Sequence, residues 1–384
     1  MYNVYVVINK KWGSMKIRRN IIVAVVIIWT MMNLCNFQSF AATTINENKV
    51  NGIMSTIVDG EIVLTWEKLN QADGYRIYEA SSLKKYRLIS QTKKTKLVLK
   101  GREKGDTYRY YVKAYKNQSN GKKTYSKISK KVSVRIPDNG ISTIKNFLQT
   151  AIAPIGSTMY VWGGGWNEPD TAAGKEAKTT GLSKSWRNFA KNKSADYNYR
   201  NYRYQIHDGL DCSGYVGWCV YNVMNTQNNQ SGYVLSASKQ ANKFAKLGFG
   251  SYRSASKVKN YKAGDIMSST CSCCGHVWIV IGQCEDGSVV LVHASPPGVQ
   301  INGTTTPSGE KNSQAYRLAK KYMKKYYPAW YKKYSDVSKG PAYLSHYGQM
   351  RWKTTGENVY LSDPEHYQKK SAEKILKDLF KTVK

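Results

Sequence analysis

The chain has 384 residues, 41% of them hydrophobic, and sets 59 Lys and Arg against 25 Asp and Glu. Thirty tyrosines and ten tryptophans exclude a disordered chain, which lacks the aromatic side chains that build a core. Collagen, coiled coil and polytopic membrane protein are excluded as well, because there is no Gly-x-y period, no sustained heptad and a single long apolar run.

That run, Ile21 to Met32, follows Lys16, Arg18 and Arg19 and precedes Ser39-Phe40-Ala41-Ala42. A basic start, a short apolar stretch and small residues at −3 and −1 predict a secretory signal over residues 1–41, cleaved after Ala41. Translation starting at Met15 instead of Met1 would keep the same signal. The run falls short of the ~20 residues that span a bilayer, so no stable membrane insertion is expected. Residues 1–41 carry five basic and no acidic side chains, so their removal takes the net charge from +34 to +29. Outside a cell such a charge favours wall teichoic acids, anionic lipid or acidic glycans, with nucleic acid not expected. Six cysteines remain: Cys212, Cys219, Cys271, Cys273, Cys274 and Cys284. An oxidising compartment permits disulfides among them, without fixing the pairs.

Residues 42–50 are polar and read as a linker. Residues 51–136 read as short strands separated by turns: Ile62 to Trp66, Gly74 to Tyr78, Lys96 to Leu99, Thr107 to Tyr115 and Val132 to Val134. This spacing predicts a β-sandwich with no cysteine pair. Pro137-Asp138-Asn139-Gly140 is turn chemistry and marks a second linker, 137–142. Ile144, Phe147, Leu148 and Ile152 then share one helical face. Within 143–384, the polar stretch 167–206 reads as an exposed insertion, and 304–384 as a helical tail.

The chemistry concentrates at Leu210-Asp211-Cys212-Ser213-Gly214. After Cys212, Val216, Cys219, Val220 and Val223 fall at helical spacing, which predicts a helix with one buried face and Asp211 as its N-cap. Cys212 then sits in the first turn, where free N–H groups and the helix dipole favour a thiolate. A nucleophilic cysteine needs a base within hydrogen-bond reach. His276 opens an apolar run, His293 lies in another, and Glu285-Asp286-Gly287 between them is a hairpin turn. A loop at 284–287 puts His276 opposite Ser295, with His293 on the same sheet face. A one-residue slip would separate the two.

Two resemblances follow from these segments. LTW, ADGYRIY, YRYYVKAY and the trailing YSKIS resemble a bacterial fibronectin type III domain, which implies Trp66 and Tyr108 or Tyr110 in its core. Met159-Tyr160-Val161-Trp162-Gly163-Gly164, Asp211-Cys212-Ser213-Gly214, Ala263-Gly264-Asp265-Ile266, Gly275-His276-Val277 and Val292-His293-Ala294 resemble, in order, the motifs of the NlpC/p60 cell-wall cysteine peptidases. The implied fold is multidomain: a β-sandwich followed by an α+β papain-like domain. The implied activity is cleavage of peptide bonds in peptidoglycan stems by a Cys-His-His triad: Cys212 as nucleophile, His276 as base and acid, His293 orienting His276. Tyr160 is implied at the oxyanion, with Asp211 and Ser213 shaping the site and meeting a substrate amine. No cofactor or metal is implied.

Other readings stay open on the residues alone. The same nucleophile serves a peptidoglycan amidase. A charge of +29 and a β-sandwich also suit a non-catalytic wall-binding or adhesive protein. Cys271-Ser272-Cys273-Cys274-Gly275-His276 resembles a soft metal site, in which zinc would draw on Cys284 and compete with His276 acting as base. Lys320 to Tyr327 interleaves bases with aromatics, as a solvated helix or a stacking surface would. His207, His346 and His366 are expected at the surface without partners.

Overall fold

The computed structural model describes residues 45–81, 85–224, 231–270 and 275–381. The expected signal sequence lies outside the described residues, as do Cys271, Cys273 and Cys274.

The first eight strands are β1 (Met54–Val58), β2 (Glu61–Thr65), β3 (Gly74–Ser81), β4 (Arg87–Thr92), β5 (Lys96–Leu99), β6 (Thr107–Asn117), β7 (Lys123–Tyr125) and β8 (Val132–Arg135). They form two antiparallel sheets, one ordered β1-β2-β5 and the other β4-β3-β6-β7 with β8 on β6. Alternation along the strands turns Ile62 and Leu64, Tyr75 and Ile77, and Tyr108, Tyr110 and Val112 inward to one apolar cluster. Trp66 joins them and meets Tyr75 edge-on at 5.5 Å. The result is a β-sandwich. Strands β1, β4 and β7 were not expected from the sequence. Strand β4 is an edge strand with little buried surface, so it lacks the alternation that marks a half-buried strand.

The rest of the chain holds helices α1 (Ile144–Ile152), α2 (Lys184–Lys191), α3 (Cys212–Tyr221), α4 (Gln240–Lys246), α5 (Gln314–Tyr326), α6 (Pro328–Lys333), α7 (Ala342–Ser345) and α8 (Ala372–Leu379). Its strands are β9 (Met159–Tyr160), β10 (Gly209–Leu210), β11 (Gly250–Arg253), β12 (Ile266–Ser269), β13 (Val277–Gln283), β14 (Val289–Ser295), β15 (Gly298–Thr304), β16 (Ser338–Lys339) and β17 (Tyr347–Trp352). They make one sheet, ordered β10-β9-β15-β14-β13-β12-β17-β11, with β16 on β15. Val277, Ile279 and Ile281 of β13 face the main core, which contains α3. Trp278 and Val280 face the other way, into a smaller cluster with Met267, Val289 and Leu291 that Tyr261, Tyr343 and Tyr347 cover.

Three expectations about this region need correction. The stretch 167–206 is not merely an exposed insertion: Ala177 and Trp186 are fully buried, and Trp186 meets Trp218 of α3 edge-on at 5.7 Å. The tail is not only helical, since its strand β17 lies inside the sheet between β12 and β11. Within α5, Tyr322 and Tyr326 pack on Phe380 rather than presenting free faces, which removes the stacking surface read from that block.

The two regions are clamped together. Arg187 of α2 donates through Nε to both carboxylate oxygens of the buried Glu67, at 2.7 and 2.8 Å. Thr56 Oγ1 donates to the Asn222 carbonyl at 2.5 Å, and Gln149 Nε2 donates to the Ser133 carbonyl at 3.2 Å.

Candidate active site

Helix α3 begins where its sequence breaks the preceding strand. Asp211 has extended backbone, and its Oδ1 accepts from Gly214 N–H at 2.7 Å and from Ser213 Oγ at 2.8 Å. Ser213 Oγ in turn accepts from Trp166 Nε1 at 3.0 Å. The cap therefore occupies both Asp211 and Ser213, and all residues from Cys212 to Val220 are buried. The helix is enclosed on every side, not on one face as its spacing suggested. The glycine-rich turn after Tyr160 wraps its start: Asp211 N–H donates to the Gly164 carbonyl, and a methyl group at Gly214 would stand 2.1 Å from that same oxygen.

Cys212 is 6% exposed. Its thiol donates to the Gly275 carbonyl at 3.9 Å and accepts from Val277 N–H, so it is held against the backbone on both sides of His276. Burial, reinforced by Asp211, pushes this thiol up to about 12 despite the N–H groups around it. The resting thiolate expected from the helix dipole is thus corrected: desolvation outweighs the helix N-terminus here.

The hairpin β13–β14 has the expected register beside the site, with Ile279 opposite Val292 and Val280 opposite Leu291. A bulge at Ile281 shifts it only towards the turn, which closes at Cys284–Ser288. His276 Nε2 and His293 Nδ1 lie 2.8 Å apart, and His293 Nε2 lies 3.1 Å from Asn302 Oδ1 of β15. With the Asn302 oxygen as acceptor, His293 Nε2–H donates to it and His293 Nδ1 accepts from His276 Nε2–H. That assignment leaves His276 Nδ1 with a free lone pair. Both rings are held neutral. Burial and then the Lys339 ammonium push His276 down to about 3, and the same causes hold the wholly buried His293 well below the ordinary histidine range.

Tyr160 ends β9, is 8% exposed and is held well above the ordinary tyrosine range by burial and by the neighbouring Cys212 and Asp211 charges. Four further residues converge here. Tyr343 lies 5.9 Å from the His276 ring and 6.0 Å from the His293 ring, centroid to centroid. Its hydroxyl bonds to that of Tyr347, and burial holds both phenols above the ordinary tyrosine range. Lys339 and Asn302 complete the group. The tail residues carried no sequence signal, being placed by chain folding across more than forty positions. Asn302 had one: Gln300 and Asn302 alternate with Val299 and Ile301, which puts them on the face of His293.

Other candidates fall elsewhere. Asp265 is wholly buried and chelated by Arg351, with Nη2 at 2.7 Å and Nε at 3.0 Å. His207 is not without a partner, since its Nδ1 lies 2.7 Å from Glu176 Oε1. Cys284 carries a free thiol at the end of β13 away from His276. Eight residues of strand separate the two, roughly 25 Å. Cys284 therefore does not share a metal with His276. Among the described residues, no group of three or more His, Cys, Asp or Glu could hold a metal ion, and no helix is long and apolar enough to cross a membrane.

No family model matches the chain, and no curated protein matches it. Solved structures resemble a part of it. The twitchin kinase region of C. elegans is 16% identical, with a TM-score of 0.22, over 25% of this chain and 17% of that one. The sixth fibronectin type III domain of human fibronectin type III domain containing protein 3 is 15% identical (TM-score 0.20), over 25% of this chain and 92% of that one. An Fn3-like protein from Clostridium thermocellum is 25% identical (TM-score 0.18), over 21% and 85%.

Proposed function

We propose that the chain is a secreted cell-wall hydrolase, a cysteine endopeptidase that cuts peptide bonds in peptidoglycan stems. In this reading a fibronectin type III-like sandwich precedes a papain-like α+β domain of the NlpC/p60 kind. The observation that carries it is the run Asn302–His293–His276, hydrogen-bonded at 3.1 and 2.8 Å, with the Cys212 thiol held against the backbone flanking His276.

The chemistry follows from the protonation states. His276 Nδ1 takes the Cys212 proton as the sulfur attacks the scissile carbonyl, because a resting thiol raised to about 12 ionises only as it reacts. His293, anchored by Asn302, holds the ring and shares the charge that forms on it. The developing oxyanion meets the Cys212 N–H and the Tyr160 hydroxyl. The C–N bond breaks as His276 returns its proton to the leaving amine. Water, deprotonated by His276, then displaces sulfur and releases the acid. Tyr343 and Tyr347 pack against the His276 ring and help to hold it in place. Asp211, raised by burial to about 6, caps the helix start beside Cys212 and shapes the site.

Purified peptidoglycan incubated with the protein should gain free amino groups, and incubation with Cys212→Ala should not. Equal release by both would overturn the reading. Release of muropeptide-free sugar strands in place of stem fragments would make the enzyme an amidase using the same nucleophile.

A further inference from the structure

Two adjoining cavities of about 500 and 650 Å³ lie along the seam between the sandwich and the second region, and both are lined by Lys49, Asn51 and Arg187. Lys130 and Lys131 line the first, and Lys68, Lys127, Lys184 and Lys191 the second. The acids there are few. Glu67 is committed to Arg187, which leaves Glu47 as the other carboxylate lining the seam.

The backbone forces like charges together at this place. Lys49 and Lys127 form a parallel bridge, with Lys127 N–H donating to the Asn48 carbonyl at 2.8 Å. Bridged strands lie about 4.8 Å apart, so the two ammonium groups start as neighbours, and like charges opposite one another are destabilising. Both are exposed, and neither they nor Lys130 enter an ion pair among the described residues. Lys130, exposed like them, lies close enough to Lys49 to feel its charge. A row of unrelieved cations in a groove concentrates an anionic partner.

We infer that this seam is a binding groove for a linear anionic polymer of the phosphodiester class, held by Lys49, Lys127 and Lys130 and running between the two regions. A linear chain fits because the two cavities share Lys49, Asn51 and Arg187 in their linings, whereas a compact anion would need only one of them. A glycerol-phosphate polymer is the occupant favoured for a chain read as wall-associated, and the inference does not depend on the cysteine chemistry.

The test is binding of fluorescent poly(glycerol phosphate) by anisotropy across a salt series. Wild type is compared with Lys49→Glu/Lys127→Glu/Lys130→Glu, and with Lys320→Glu/Lys324→Glu/Lys325→Glu, an equal charge change on the exposed face of α5. Losing three phosphate contacts at roughly 0.7 each should flatten the log–log salt slope by about 2 in the seam variant and weaken binding more than tenfold. The α5 variant should lose less than threefold. Equal losses in both would reduce the effect to net charge and overturn the inference. Seam-dependent binding of poly(U) without binding of poly(glycerol phosphate) would overturn it in favour of nucleic acid. Lys49→Gln/Lys127→Gln/Lys130→Gln gives the same comparison should charge reversal impair folding. Cys212→Ala should bind as wild type does, which separates this result from any failure of the peptidase reading.

Discussion

His276 Nε2 stands 2.8 Å from His293 Nδ1, and His293 has its other nitrogen 3.1 Å from Asn302 Oδ1. This chain fixes which nitrogen of His276 is free, so in the proposed mechanism Asn302 acts on the cysteine without touching it. Asn302→Leu should lower kcat for amine release about tenfold, ~1.4 kcal/mol of barrier, with KM little changed. His293→Ala should cost about a hundredfold or more, within the range for positioned acid–base groups. An unchanged kcat in Asn302→Leu would detach Asn302 from the mechanism.

The resting thiol has its own signature. With Cys212 raised to about 12, its alkylation by iodoacetamide should quicken about tenfold per pH unit from 7 to 10, without a plateau. Peptide mapping that follows Cys212 separately from the other cysteines reads this directly. A plateau below pH 8 would show a preformed thiolate.

Stability should fall in acid through the histidines. An unfolded histidine takes a proton near pH 6.5, while His276 in the fold resists until about 3. Between those values the unfolded state binds more protons, so stability rises with pH, is complete above about 6.5 and is lost as pH falls towards 3. Asp211 opposes this, since it protonates in the fold near 6 and in the unfolded chain near 3.8. In urea unfolding from pH 7 to pH 4, His276→Gln should therefore flatten the loss by up to ~1.4 kcal/mol per pH unit relative to wild type. Parallel profiles would place the His276 titration near its ordinary value.

Gly214→Ala should abolish amine release. The added carbon would sit 2.1 Å from the Gly164 carbonyl, and backbone on both sides prevents an inexpensive shift. Circular dichroism should show the fold largely kept, with a melting temperature lowered by several degrees for a loss of ~2 kcal/mol.

Arg187→Ala should loosen the clamp between the two regions. It leaves Glu67, only 7% exposed, without its cation, at a cost of about 3 kcal/mol. Calorimetry should then show the melting transition broadening or splitting in two. A single unshifted transition would mean that the ion pair adds nothing to the coupling.

Much of this architecture was legible along the chain. The alternation in Thr107 to Tyr115, the Asp211 cap and the Asp286-Gly287 turn each act within a few residues, so local pattern reports them. What local pattern does not report is packing between distant segments. Strand β17 offers only six residues and takes its place between β12 and β11 through contacts 78 to 102 positions away. Tyr343, Tyr347 and Lys339 reach the histidines in the same manner. The thiolate expectation failed for a related reason: the helix N-terminus is visible in sequence, whereas the desolvation that outweighs it depends on what covers Cys212.

The most direct measurement is mass spectrometry of the soluble products from purified peptidoglycan, with wild type beside Cys212→Ala and His276→Ala. Stem-peptide fragments ending at one defined bond, each carrying one added water and present with wild type alone, are the predicted result. Intact stems with all three proteins, across walls of several compositions, would contradict it and leave the Cys212, His276 and His293 cluster without catalytic work.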